Sequence, residues 1–422
     1  MKINRFYIAL TSLALVALSL AGCKDADSPA LTDNKVYIEG GFSVKYATSF
    51  VDGQVAIPMQ VPVKMTQKDL TRDVNVTLEI SDAALEGFNS RYNRSFSPFP
   101  NAQLDSPTVT IKKGTTSAMA TLLVTPITAD QAATGANFAV AVKVKSADGA
   151  DVLTGSESFI YALKRTPRAD VLIFNKGTTT VNRTTLMLPF DMQNINGGND
   201  LVFKAYTLEF LFKITEWTSA NNYALINPEG APKESGAEIY TRIEGGSNGL
   251  ANAVLNVKFY GDQESISGKP ADGFKTDRWY HAAFVYTGTK LFVYIDGEEC
   301  ARCDTSLPQL TFDKTMKGFT WQGGSFNGGY SPVSRNAVQS SELRIWTVAR
   351  TQEQLKESMY GVMPNSDGLI GYWKLNEGTG ITIKDYTGKN PDAFFTSDSN
   401  HDVPLASPLI DWVPDQDLTI GK

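Results

Sequence analysis

Apolar and polar residues alternate with a period of two along short runs from one end of this chain to the other. Val74, Val76, Leu78 and Ile80 fall on one side of a run, and Asn75, Thr77 and Glu79 fall on the other. Phe138, Val140, Val142 and Val144 repeat the pattern, as do Leu208, Phe210, Phe212 and Ile214, and again Ala253, Leu255, Val257 and Phe259. Successive side chains of a strand point to opposite faces, so this spacing predicts half-buried antiparallel strands. Turn tracts such as Lys112-Lys113-Gly114-Thr115 and Ser146-Ala147-Asp148-Gly149 separate the runs. The expected class is all-β, with no long helical period between Val36 and Leu163.

The N-terminus follows another rule. Lys2 and Arg5 precede an uncharged, almost wholly apolar run from Phe6 to Leu20. That order predicts a signal peptide over residues 1–22, because a spanning helix needs about 20 apolar residues and this run is shorter. It ends in Leu20-Ala21-Gly22-Cys23, which resembles a bacterial lipoprotein cleavage site. The resemblance implies that Cys23 carries lipid and that residues 23–34 form a tether, so the acyl chains anchor the protein with no spanning segment. The following Lys24-Asp25-Ala26-Asp27-Ser28-Pro29 resembles the export signal of Bacteroidetes lipoproteins that reach the outer face of the outer membrane. Cell-surface placement is expected, with the periplasmic face as the alternative.

Formal net charge is −6, and loss of Lys2 and Arg5 with the signal takes it to −8. That balance disfavours nucleic acid as a partner. The chain has 2 histidines and 3 cysteines. It is therefore poor in ligands for transition metals and in nucleophile–base pairs.

Alternation stops at Lys164-Arg165-Thr166-Pro167-Arg168, where a proline and clustered positive charge suggest an interdomain connection. Two domains are expected, one over residues 35–167 with about seven strands and one over residues 168–422. In the first, Phe88-Asn89-Ser90-Arg91-Tyr92-Asn93, Val109-Thr110-Ile111-Lys112-Lys113-Gly114 and the run from Phe138 to Lys145 follow in order. This series resembles the domain of unknown function at the start of many Bacteroidetes surface lipoproteins and some of their endo-β-N-acetylglucosaminidases. The resemblance implies an Ig-like β-sandwich acting as a spacer in glycan-utilisation systems.

In the second part, the run Trp279-Tyr280-His281-Ala282-Ala283-Phe284-Val285-Tyr286 leads through Gly288 into Leu291 to Ile295 and Asp296-Gly297. Glu342 to Arg350 comes next, then Thr351-Gln352-Glu353-Gln354, a capping box that opens a short helix. Leu369 to Gly378 and Asp385-Tyr386-Thr387-Gly388 complete the series. Together these blocks resemble the laminin-G-like branch of the concanavalin A-like jelly rolls, two curved antiparallel sheets. That family binds sugars or proteins on its concave face or rim loops. The resemblance also implies partners of the SusC-like transporter and SusD-like lipoprotein type.

Several motifs admit a plainer reading. Cys300-Ala301-Arg302-Cys303 leaves a strand after Asp296-Gly297, so a disulfide across a bulge and two free thiols both remain open. His281 lies mid-strand with no acid or cysteine near it in sequence, which suits a hydrogen-bonded sheet histidine. Jelly-roll glycosidases need two carboxylates flanking one bond. No ExDxE-like run supplies them: Glu298 and Glu299 are adjacent, and Glu234 and Glu238 lie in a predicted loop. Some laminin-G-like domains hold structural calcium through loop carboxylates; Asp200 and Asp385 are the nearest counterparts here, but such clusters are more often plain turns. No metal ligand or other cofactor is assigned.

A sugar ring offers an apolar C–H face that flat aromatic side chains meet. Trp279, Trp346 and Trp373 fall within strand motifs and are expected in the core. Trp217, Tyr223, Trp321, Phe326 and Tyr330 sit in or beside polar and Gly-rich segments and are the candidate ligand-binding residues, Trp321 first. The expected function is a non-catalytic, lipid-anchored surface protein that binds a glycan. A protein-protein adhesion module and an unrecognised glycosidase are the alternatives.

Overall fold

A computed structural model describes residues 34–41, 46–52, 55–174, 184–215, 217, 223–245, 249–260, 264–326, 338–397 and 400–421. The signal segment, Cys23 and Tyr330 lie outside the described residues.

The first part is a sandwich of two sheets. A five-stranded sheet runs in the order Asp151–Val152, Lys35–Ile38, Ile57–Met65, Ser117–Val124 and Ala102–Leu104. A six-stranded sheet runs Ala47–Phe50, Ser158–Lys164, Phe138–Ala147, Val74–Ile80 and Thr108–Ile111, with Ser97–Pro98 beside Phe138–Ala147. Val74, Val76 and Leu78 turn inward to meet Val61, Val63 and Leu122, as their alternation requires. The eleven strands exceed the expected seven because pieces as short as Ser97–Pro98 are too brief to show a period.

Asp82–Tyr92 is an 11-residue α-helix where the sequence reading has no helix. Its ends carry the reason. Ser81 caps the first turn by accepting from the Ala84 N–H, and Asn93 closes the last turn in the left-handed conformation. Only Leu85 is fully buried, so no apolar stripe marks the helix in sequence.

The second part is also two packed sheets. The eight-stranded sheet runs Glu298–Asp304, Lys290–Ile295, Trp279–Tyr286, Tyr206–Ile214, Val338–Trp346, Arg168–Phe174 and Ile410–Asp417, with Leu369–Trp373 on Val338–Trp346. The nine-stranded sheet runs Glu264–Gly268, Ala253–Tyr260, Ala237–Gly245, Tyr223–Pro228, Gly318–Phe326, Thr184–Pro189, Ala393–Ser397 and Thr382–Ile383, with Asn400–Pro404 on Ala393–Ser397. Leu208, Phe210 and Phe212 from one sheet and Leu186, Leu255 and Phe319 from the other fill the space between them. The capping box forms between Thr351 and Gln354, and its helix, Gln352–Glu357, buries Leu355.

Only Arg165, Thr166 and Pro167 separate the last strand of the first sandwich from the first strand of the second. The two parts are nonetheless docked. Arg94 Nη1 lies 2.7 Å from Glu357 Oε1, and Lys374 Nζ donates to the Ala133 carbonyl at 2.9 Å. Gly135 lies against Val362: a Cβ on it would stand 1.9 Å from the Val362 carbonyl oxygen, and its φ of +74° already favours glycine.

Candidate functional site

Trp321 is not a ligand-facing ring. Its side chain is fully buried between the two sheets, 4.8 Å centroid to centroid from Phe210, and its Nε1 donates to Ser340 Oγ at 3.1 Å. The glycines after it mislead, because Gly323 and Gly324 belong to the strand Gly318–Phe326 rather than to a loop. Register decides the outcome: Trp321 pairs with Leu186 and Ile226, both of which face the core. Tyr223 and Phe326 pair with each other at the adjoining ends of two strands, and Trp217 is half-buried against the core. Trp279, Trp346 and Trp373 are buried as expected.

The opposite face of the nine-stranded sheet carries a different set of residues. Inward Ile239 and Ile243 alternate with Tyr240 and Arg242, and inward Leu255 and Val257 alternate with Asn256 and Lys258. Arg242 pairs with Asn256 and Tyr240 pairs with Lys258, so the four outward residues form one block. Further along the same face are Met187 and Thr320, which pair with each other, and Thr185 with its partner Thr396. Met187, Thr185, Thr320, Thr396 and Asn256 are all at most 2% exposed although they point away from the core. The face is recessed in the sense that these outward side chains are shielded from solvent.

Its polar groups are incompletely satisfied. The Arg242 guanidinium lies 5.6 Å from the Tyr240 ring centroid and pairs with Glu244, but among the described residues its Nε has no partner. Asn256 Nδ2 donates to Ser267 Oγ at 2.9 Å, while its Oδ1 has none. Thr185 Oγ1 is also unpartnered. A buried polar atom without a partner costs about 1–3 kcal/mol, so this donor and acceptor on paired residues beside an aromatic ring are suited to hydrogen-bond a hydroxyl group. Sequence reasoning passed over these residues, yet the signal was present: Tyr240 and Arg242 stand on the polar side of an alternating run.

The outer face of the eight-stranded sheet holds a buried charge cluster. Glu209 accepts from Trp346 Nε1 at 2.7 Å and from Arg350 Nη1 at 3.0 Å, and Arg344 Nη1 lies 3.6 Å away. His281 Nε2 meets its other oxygen. Burial alone would raise the Glu209 pKa, but the Arg344 and Arg350 guanidiniums outweigh it and hold the group well below the usual carboxylate range. Glu209 and His281 are wholly buried, which denies them a substrate and makes His281 the sheet histidine expected of it.

Asp200 and Asp385 have turn roles. Asp200 accepts from Lys233 Nζ and from the Lys314 N–H, and Asp385 accepts from the Tyr372 and Asn390 N–H groups and from Thr387. Among the described residues no group of three His, Cys, Asp or Glu side chains could hold a metal ion. The strand Glu298–Asp304 does bulge, with Cys300 as its extra residue, yet Cys300 and Cys303 are not joined by a disulfide.

Residues 191–356 match the family model described as the concanavalin A-like lectin/glucanases superfamily, and residues 32–151 match a model described as an N-terminal domain. The C-terminal part thus resembles that superfamily over residues 191–356 and has two packed antiparallel sheets like a jelly roll. No curated protein matches the chain. Among solved structures, a candidate carbohydrate-binding protein from Bacteroides ovatus is similar at 22% identity, over 88% of this chain and 99% of that one, with a TM-score of 0.49. A pentraxin from Limulus polyphemus is similar at 16% identity, over 56% of this chain and 98% of that one, with a TM-score of 0.35. EndoBT-3987 from Bacteroides thetaiotamicron, determined with a Man5GlcNAc product, is similar at 16% identity over 39% of this chain and 37% of that one, with a TM-score of 0.26.

Proposed function

We propose that this two-domain chain is a non-catalytic glycan-binding lipoprotein of the outer-membrane surface, and that the recessed face of its jelly roll holds the sugar. One observation carries the reading. Arg242 Nε and Asn256 Oδ1, on cross-strand partners next to Tyr240, are a donor and an acceptor without partners among the described residues. A sugar supplies what they lack, since each hydroxyl both donates and accepts and the ring's C–H face suits an aromatic side chain. The match to a lectin and glucanase superfamily supports the same reading.

The non-catalytic reading rests on the carboxylates of this face. Glycoside cleavage uses two carboxylates about 5–9.5 Å apart around the scissile bond. Two acids stand on this side of the strand Ala237–Gly245: Glu244 is paired with Arg242, and Glu238, expected in a loop, lies at the start of the strand two residues before Tyr240. In this reading Cys23 anchors the chain, the first sandwich spaces the jelly roll from the membrane, and a SusC-like transporter with its SusD-like lipoprotein receives the glycan.

The test is a glycan array probed with protein starting at residue 24, followed by mass spectrometry of the bound oligosaccharides. Binding with intact oligosaccharide is expected. Release of shorter products would make the chain a glycosidase, and binding to protein partners with no glycan retained would make it an adhesion module.

A further inference from the structure

Where the two sandwiches dock they form an open cleft with a cavity of about 290 Å³, whose lining includes Lys164, Arg165, Glu342, Glu357, Tyr360 and Lys374. The charges around it are unevenly matched. Glu357 is held by Arg94 at 2.7 Å, and Glu342 accepts from the Tyr372 hydroxyl with Arg344 Nη2 4.0 Å away. Both acids thus have their own partners.

The lysines do not. Lys374 is only 6% exposed; its Nζ donates to the Ala133 carbonyl and lies 4.5 Å from the Tyr386 ring centroid. Lys164 is half-buried at the end of its strand. Among the described residues, neither ammonium has a carboxylate within salt-bridge distance. Burial lowers the pKa of both, and neighbouring acids only partly offset this. Ammonium groups held partly out of water with no carboxylate in direct contact are costly, and a bound anion reduces that cost.

The backbone supports the same conclusion. Glu342 has a φ of +57° within the strand Val338–Trp346, at a break in the register with Tyr206–Ile214. A left-handed non-glycine residue in a strand is strained, and such strain gathers at ligand sites.

We propose that this interdomain cavity binds a small organic anion, a carboxylate on a body the size of one sugar ring, with Lys374 and Lys164 flanking the carboxylate. The proposal goes beyond the glycan-binding reading and stands without it, since the cavity shares no residue with the Tyr240–Arg242–Asn256 face. A volume near 300 Å³ is at the small end of ligand pockets and suits a single ring.

The test is calorimetric titration of protein starting at residue 24 with glucuronate, glucose and acetate. Glucose has the same body without the carboxylate, and acetate has the carboxylate without the body. Glucuronate is expected to bind at least about tenfold more tightly than either, the scale of one charge-assisted hydrogen bond. Its affinity should fall with added salt. Lys374→Met should weaken glucuronate about tenfold or more, and Arg242→Met should leave it unchanged.

Equal affinity for glucuronate and glucose, or no glucuronate binding at millimolar concentration, would overturn the proposal. Tighter binding of acetate than of glucuronate would reduce the cavity to a simple anion site and overturn the sugar-sized body. If Lys374→Met does not fold, Lys164→Met decides; full affinity in a folded Lys164→Met protein also overturns the assignment. Loss of glucuronate binding in Arg242→Met would move the anion to the recessed face.

Discussion

His281 Nε2 lies 3.0 Å from Glu209 Oε2 across two neighbouring strands, and both side chains are fully buried. Glu209 is the hub: its oxygens also meet the Trp346 indole N–H and the Arg350 guanidinium, with Arg344 close by. Removing one member of a buried charge group strands the others. Glu209→Ala is expected to cost about 3–5 kcal/mol of unfolding free energy, measured by urea denaturation, because two guanidiniums lose their counter-charge. A cost below about 1 kcal/mol would mean that water already screens the cluster.

The same pair sets a pH dependence. Burial lowers the His281 pKa despite Glu209 beside it, so the folded protein holds this histidine neutral. With Glu209 ionised, the proton sits on Nε2 and is donated to the carboxylate. Both groups have folded-state pKa values below their unfolded ones, so the unfolded chain takes up protons first as the solution acidifies. Stability is therefore full above the ordinary histidine pKa of about 6.5 and declines as pH falls below it, with the Glu209 contribution lost below about 4.3. Melting temperatures from pH 8 to 4 test this, and His281→Gln should flatten the upper part of the decline.

Trp321 and Arg242 separate core from binding face. Trp321→Ala is expected to cost about 3–5 kcal/mol of stability, since the ring fills the space between the sheets. Arg242→Met should leave the melt within about 1 kcal/mol of wild type and weaken glycan binding about tenfold. A thermal melt and a binding titration on both variants check the pair. The reverse pattern would move the sugar to the sheet interior side and the recessed face out of the site.

Domain docking depends on Gly135. A methyl group there would press on the Val362 carbonyl, and the left-handed backbone adds its own cost. Gly135→Ala should loosen the interface by about 1–3 kcal/mol and expose the connection at Arg165–Pro167. Faster tryptic cleavage after Arg165 is the expected readout; an unchanged digestion rate would mean that Arg94–Glu357 and Lys374–Ala133 suffice.

The anchor is tested at Cys23. Cys23→Ala should abolish palmitate incorporation and move the protein out of the membrane fraction. Equal labelling of the variant would remove the lipid from the proposed function.

Alternation by itself determined that both halves are built of half-buried strands, and it put Val74, Phe210 and Leu255 on the apolar sides of theirs; the two sandwich architectures came from the family resemblances. Alternation could do so because strand geometry has a period of two that every residue reports locally. The helix Asp82–Tyr92 escaped it because that helix buries one side chain fully, leaving no stripe to read. The capping residues Thr351 and Gln354 were legible for the opposite reason, since a cap acts across three residues. The Gly-rich stretch after Trp321 looks like a loop in sequence. Only pairing with Thr184–Pro189 and Tyr223–Pro228 makes it a strand and turns Trp321 inward. Tertiary structure also decided the sites. Arg242 meets Asn256, Glu209 meets His281, and Lys164 and Lys374 come to one cavity through cross-strand register and domain docking, which bring together residues 14, 72 and 210 positions apart. Such contacts depend on how sheets pair and pack, and that information is distributed over the whole chain rather than written at any one position.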